Sequence, residues 1–379
     1  MTTTNVDQND FRWIDSDTEL NTLVAELTII HAAGNLSRSY VDTEADSLHH
    51  YQEKLCLIQL SAGGIHALID PLSIKDMTPL LHLLDETELW LHGADYDLSL
   101  MKRTYGWTPK CIRDTQIASR LTGHRAFGLA ALVEKHCGVT LCKSSQKEDW
   151  SQRPLPAKMQ HYAVDDVRYL PRLVEILIRE LEEKKRFPWF IQSCEGLSND
   201  VLARKEKDRD EAWRISGSGR LRPMGMALLR ALWFWRDSMA KERDVPAFKV
   251  LNNQQMLDMA ADFERTGDVT TPHRWRGKWK ETFENILQET KQSSQESWPQ
   301  KIRKNERRMS ESEKDYANRL CALKDRKAEA LDLDSSLLGS RALMEDIAQQ
   351  QGIDQKGRLM PWQSELMKDI LNQPSQLLL

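Results

Sequence analysis

The chain has 379 residues, 40% of them apolar and 29% charged, with a formal net charge of −4. That length exceeds one ordinary domain and predicts two or three. No apolar run approaches the roughly 18 residues of a membrane span, so no membrane partner is expected. The polar, acidic stretch from Met1 to Asp17 lacks the pattern of a secretory signal, which predicts a cytoplasmic location. The net charge hides an asymmetry: residues 1–195 sum to −7 and residues 196–379 to +3. An acidic half that handles a polyanion needs metal ions to mediate, whereas the other half can hold phosphate directly. Cys56, Cys111, Cys137, Cys142, Cys194 and Cys321 are scattered among apolar neighbours, as reduced buried thiols are. Cys137 and Cys142 with His124 and His136 lack the paired short spacing of a zinc site, so buried thiols are the reading adopted.

In chain order, the first strand-like run is Asn35 to Asp46. Lys54 to Ser61 and Ile65 to Asp70 flank Gly63-Gly64 as a hairpin, which makes three sequential antiparallel strands. A helix from Met77 to Leu84 leads to a strand at Glu88 to His92, a helix at Asp95 to Tyr105 and a short strand at Lys110 to Asp114. Gly128 to Cys137, Pro156 to Tyr169 and Pro171 to Lys185 carry helical periodicity. The first domain, residues 1–203, is therefore mixed α/β, and the charged stretch Arg204 to Glu211 closes it. From Pro223 onward only helices are predicted. Trp235–Ala260 aligns without gaps on Leu323–Ala348 at an offset of 88 residues, pairing Asp244 with Asp332 and Asn252 with Ser340. Two small all-α domains follow, at 208–291 and 309–379, joined by a polar and basic linker at 292–308.

Chemistry is concentrated in carboxylates. Side chains alternate along a strand, so Asp42 and Glu44 in YVDTE share one face while Val41 and Thr43 point into the core. Asp97 follows the strand ELWLH near a helix start, with Asp95 assigned as the cap and Asp97 a turn further in. Tyr162 and Asp166 are four apart on one helix face, and Asp165 points elsewhere. Taken singly, each motif has an ordinary explanation, a solvated edge or a cap. Together, four acids would repel unless divalent cations neutralised them, and hard oxygen ligands suit Mg²⁺ or Mn²⁺. A pair of such ions supports in-line displacement at a phosphodiester. Tyr162 would then orient the attacking water, since its ordinary pKa near 10 makes it a poor base.

The ordered set D-x-E, a lone Asp after a strand, and Y-x-x-x-D resembles the three exonuclease motifs of the DEDD superfamily in its tyrosine subtype. DTEADSLHHYQEKLCLIQL (Asp42 to Leu60), ALIDPL (Ala67 to Leu72), LHGADYDL (Leu91 to Leu98), DTQIAS (Asp114 to Ser119), GLAALVEKHCGVTLCKSSQKEDW (Gly128 to Trp150) and YAVDDVRYL (Tyr162 to Leu170) resemble the ribonuclease D family across the whole first domain. The repeated helical units resemble the helicase-and-RNase-D C-terminal (HRDC) domain, the second copy being the more divergent. The resemblance implies a ribonuclease H-like fold, a mixed sheet flanked by helices, and hydrolysis of RNA from the 3′ end to nucleoside 5′-monophosphates; tRNA precursors or other structured RNA with 3′ tails are the expected substrates, and a monomer is the expected form. It assigns Asp42, Glu44, Asp97 and Asp166 as ligands of two Mg²⁺ or Mn²⁺ ions and Tyr162 as the water-orienting residue. His92 stands where relatives often carry a histidine, as a substrate contact or a strand-end residue. Ala45 replaces the aromatic residue that many relatives place after the motif Glu.

Arg274 to Lys280 (RWRGKWK) interleaves four basic residues with Trp275 and Trp279. Arg274, Arg276 and Lys278 are candidate phosphate contacts, although the tryptophans read better as core of the first helical unit. Lys301 to Arg308 adds a basic run that either tracks RNA or serves as linker. Lys143 and Gln146, before Trp150, are further substrate-binding candidates. Two rivals stand beside the exoribonuclease: a 3′-5′ exodeoxyribonuclease, since the metal chemistry needs no 2′-hydroxyl, and a non-catalytic RNA-binding protein.

Overall fold

The architecture, a computed structural model describing residues 10–142, 144–205, 208–270, 275–302, 307–350 and 357–371, is built around a six-stranded mixed sheet. In chain order the elements are β1 (Arg12–Ile14), α1 (Asp17–Ala32), β2 (Arg38–Ala45), β3 (Leu55–Ala62), β4 (Ile65–Ile69), α2 (Thr78–Asp85), β5 (Glu88–Leu91), α3 (Asp95–Tyr105), β6 (Ile112–Asp114), α4 (Thr115–Leu121), α5 (Leu129–Cys137), α6 (Ala157–Arg168), α7 (Leu170–Glu183) and α8 (Phe187–Ala203). Helices α9 (Pro223–Glu242), α10 (Ala247–Val250), α11 (Asn253–Thr266), α12 (Lys278–Gln292), α13 (Glu311–Ala330), α14 (Arg341–Gln349) and α15 (Pro361–Leu371) follow. None of the described helices is long and apolar enough to cross a membrane.

The strand order is β1-β4-β3-β2-β5-β6. The expected β2-β3-β4 meander is antiparallel, while β1, β5 and β6 join in parallel. All eight residues of β3 are buried, because helices cover both faces. Ile58 and Leu60 share a core with Leu20, Leu23 and Leu27 of α1 and with Leu98 and Met101 of α3. Leu57 and Leu68 share another with Met159, Ala163 and Val164 of α6. Helix α1 is not among the elements expected from the sequence, yet its start is signalled by Ser16, whose hydroxyl accepts from the Glu19 N–H while the Glu19 carboxylate accepts from the Asp15 N–H.

The chain divides into two compact units. One comprises residues 1–45, 55–204 and 307–379; the other comprises residues 46–54 and 205–306. The first holds the sheet, α1–α8 and α13–α15. Although the sequence marks 309–379 as a domain of its own, Tyr316, Leu320, Met344 and Trp362 share one hydrophobic core with Leu121, Leu132, Leu173 and Phe190. The second unit packs α9, α11 and α12 around Leu229, Trp235, Phe263, Trp275 and Phe283.

The internal repeat is visible in the backbone. Asp244 and Asp332, 88 residues apart, both adopt left-handed backbone, at φ 49° and 50°. That conformation is rare outside glycine, and Asp tolerates it better than most residues. Asn252 caps α11 and Ser340 caps α14. The aligned cations are both buried: Arg236 Nη1 donates to the Leu251 carbonyl at 3.1 Å, and Lys324 Nζ donates to the Ser335 carbonyl at 3.0 Å. Among the described residues the six cysteines form no disulfide, and only Cys56 and Cys194 are fully buried, while Cys142 is exposed. The expectation of buried thiols therefore fails at Cys142, which sits in the stretch between α5 and α6 rather than in an element.

Candidate active site

β2 holds the first two acids on stiff backbone. Val41 is fully buried, Asp42 stands opposite Gln59 and Glu44 opposite Leu57 on β3. The register then slips between Glu44 and Ala45, a bulge that bends the strand end.

Asp97 arrives from α3. The helix starts at Asp95 with Ala94 as its N-cap, so Asp95 does not cap it. The Asp95 carboxylate instead accepts from Arg204 at 2.7 Å, and Asp97, in the first turn, is buried. The turn that aims this helix is held by Asp114, whose carboxylate accepts from the N–H groups of Gly93 and Ala94, both at 2.9 Å, and of Gln116 at 2.7 Å. Gly93 takes φ 74° there, which a side chain would strain. Thr43 does not simply face the core: its hydroxyl donates to Asp97 Oδ1, tying the second strand motif to the helix.

Helix α6 buries Met159, Ala163, Val164 and Val167, leaving Tyr162 and Asp166 on an adjoining face. Asp42, Glu44 and Asp166 each offer a carboxylate oxygen, all within 4.8 Å of one another. Asp97 adds its charge to the group: with burial it pushes up the pKa values of Asp42, Glu44 and Asp166. Glu44 rises from its ordinary 4.5 to about 9, chiefly by burial and then by Asp166 and Asp97. Asp166 rises from 3.8 to about 7 by burial, opposed by a hydrogen bond from Tyr162. Asp97 also reaches about 7, burial outweighing the Thr43 hydrogen bond. Asp42 is raised by burial and by all three neighbours. Among the described residues, no Lys or Arg forms an ion pair with any of the four. An all-oxygen cluster without a protein cation fits hard divalent ions.

Tyr162 packs its ring 5.9 Å from that of Trp150. Burial and the charges of Asp166 and Glu44 hold its hydroxyl protonated far above the usual phenol range.

Residues 11–182 match the family described as 3′-5′ exonuclease, and residues 225–268 match the HRDC domain. Ribonuclease D of Cronobacter turicensis is 35% identical over 227 residues, which are 58% of this chain and 60% of that protein. Ribonuclease D of Haemophilus influenzae is 30% identical over 304 residues, 77% of this chain and 74% of that protein. The chain belongs to the ribonuclease D family. The crystal structure of Escherichia coli RNase D, described as an exoribonuclease involved in structured RNA processing, superposes with a TM-score of 0.70 at 25% identity over 95% of this chain and 97% of that one. The match to the Cronobacter relative spans about 60% of its length.

The further sequence candidates have different fates. Gln146 lies near Tyr162, whose hydroxyl pKa its side chain lowers against the effect of burial. His92 Nδ1 is 2.9 Å from Thr115 Oγ1, while its Nε2 is buried without a partner among the described residues. Lys143 and Arg274 lie outside the described residues. Arg276 and Lys278 are exposed in the second unit. Arg276 lines a cleft of about 430 Å³ with Arg243, Lys249, Val250, Trp275 and Trp279. Trp275 is core, as the sequence favours, packed 5.1 Å from Phe283; Trp279 carries the Arg243 guanidinium 4.4 Å above its ring.

The sequence reading gave no role at the site to three residues near the acids: Thr43, Asp114 and Gln59. Gln59 is fully buried opposite Asp42, and neither atom of its amide has a partner among the described residues. A lone amide inside the apolar run LCLIQL was the available signal, because buried polar groups ordinarily find partners.

Proposed function

We propose that the chain is a divalent-metal-dependent 3′-5′ exoribonuclease that trims structured RNA, with 3′-extended tRNA precursors as its substrate class, acting as a monomer in the cytoplasm. The observation that carries this reading is the convergence of Asp42, Glu44 and Asp166 within 4.8 Å, in the field of Asp97, with no ion-paired protein cation among the described residues. Two Mg²⁺ or Mn²⁺ ions held by these four acids would supply water activation and stabilisation of the leaving oxygen. Water attacks the terminal phosphorus, the bond to the 3′ oxygen breaks, and that oxygen takes a proton to leave a new 3′-hydroxyl and a nucleoside 5′-monophosphate. Tyr162 keeps its proton, so it orients water by hydrogen bonding and does not act as the base. Gln146 and the Trp150 ring fix its position. Asp114 and Thr43 hold Asp97 in place from behind. The basic cleft around Arg243, Lys249 and Arg276 is suited to phosphates, which it would hold without reading sequence.

The test is digestion of a 3′-extended tRNA with Mg²⁺, with Mn²⁺ and with chelator, beside a DNA oligonucleotide of matched sequence. Stepwise loss of 3′ nucleotides from the RNA, requiring metal, is expected. Equal or faster shortening of the DNA would favour the deoxyribonuclease, and binding without release of mononucleotides would favour the non-catalytic module.

A further inference from the structure

Away from the carboxylates, three other metal-ligating side chains meet where α5, α7 and the loop after α4 adjoin. We propose that His124, His136 and Glu180 form a second metal site, selective for Zn²⁺ or a similar first-row ion. His124 Nε2 stands 2.8 Å from Glu180 Oε2, and ligand atoms of all three residues lie within 4.8 Å of one another. The two imidazoles meet edge to face, centroids 5.1 Å apart at 77°, which converges their nitrogens instead of stacking the rings. Zinc ligands about 2.0–2.2 Å from the ion stand roughly 3.3 Å from each other at tetrahedral angles, so side-chain rotation suffices to close the set.

The chemistry separates this site from the catalytic acids. Two imidazoles and one carboxylate suit zinc, with a fourth position left for water, and suit Mg²⁺ poorly. A purely hydrogen-bonded cluster accounts for Glu180, His124 and Lys135, since Lys135 Nζ lies 3.0 Å from His124 Nδ1. It does not account for His136, whose Nε2 is buried without a hydrogen-bond partner among the described residues. On binding, the ion takes the place of the proton at His124 Nε2, that proton moves to Nδ1, and exposed Lys135 turns to solvent. Such a site would clamp the loop after α4 and the end of α5 onto α7.

The experiment uses the full chain, stripped with chelator, equilibrated with Zn²⁺ under excess Mg²⁺ and freed of unbound metal before zinc analysis. Wild type and Asp166→Asn are expected to retain a single equivalent, while His136→Gln and Glu180→Gln lose it. Lys135→Met, a surface change, is expected to bind zinc more tightly by removing the competing ammonium. In wild type and Asp166→Asn, Co²⁺ in place of zinc is expected to give the visible absorption of a tetrahedral site, a readout independent of whether His136→Gln folds. No retained zinc in wild type, equal retention in folded His136→Gln, or weaker binding by Lys135→Met would overturn the proposal. Because zinc retention is read in the turnover-deficient Asp166→Asn, its failure is distinguishable from failure of the exonuclease reading.

Discussion

Asp166→Asn and Asp42→Asn are each expected to lower turnover about 10³-fold or more while leaving folding and RNA affinity largely intact. Asn keeps the shape of the side chain and one acceptor oxygen but removes the charge that holds a cation. Asp42 is the most crowded acid, facing Asp97, Asp166 and Glu44 together, so no neighbour has room to replace it without recreating the same repulsion. Asp166 also accepts the hydrogen bond that positions Tyr162, so its loss removes a ligand and loosens the water-orienting hydroxyl. Affinity for RNA is expected to rest on phosphate contacts outside the four acids and so to persist. Single-turnover digestion together with filter binding separates the two quantities. Undiminished turnover in either variant would remove that residue from the chemistry.

Without metal, the protein is expected to lose stability as pH rises from about 4 to about 9. Folding raises Asp97 and Asp166 from 3.8 to about 7 and Glu44 from 4.5 to about 9. The folded state therefore binds more protons than the unfolded chain across this window. The stabilising contribution is complete below the unfolded values and is lost as pH climbs through the folded ones. Mg²⁺ is expected to offset the decline, because it would take the place of the missing protons. Calorimetric melts in chelator and in Mg²⁺ at pH 6 and pH 9 check this: the gain from Mg²⁺ is expected to be larger at pH 9. Asp166→Asn, with one charge fewer, should show a shallower decline in chelator. A metal-free protein whose stability is flat or rises over this range would contradict the electrostatic picture.

The acids were legible in the sequence because their signals are local. Strand alternation fixed Asp42 and Glu44 on one face, and a four-residue helical spacing paired Tyr162 with Asp166. What the sequence could not supply was the reach between segments. Thr43 donates to Asp97 across 54 positions, and Asp114 holds the Gly93–Ala94 turn from 20 positions away. These pairings depend on β2, β5 and β6 lying side by side, which no periodicity encodes. The same holds for His124 and Glu180, 56 positions apart. Their separation leaves no local spacing that joins Glu180 to the two histidines, whereas Cys137 and Cys142 stand close to them in sequence. Helix α1 was different: Ser16 and Glu19 form a recognisable capping pair, and Leu20, Leu23 and Leu27 mark its buried face. The packing of α13–α15 onto the core of α4, α5, α7 and α8 is again long-range, and the repeat alone suggested an independent domain.

The most direct measurement is anomalous diffraction from a crystal soaked in Mn²⁺. Manganese is expected among Asp42, Glu44, Asp97 and Asp166, with carboxylate oxygens from both β2 and α6 in its coordination sphere. Manganese bound elsewhere, with these four carboxylates too far apart to share an ion, would contradict the account.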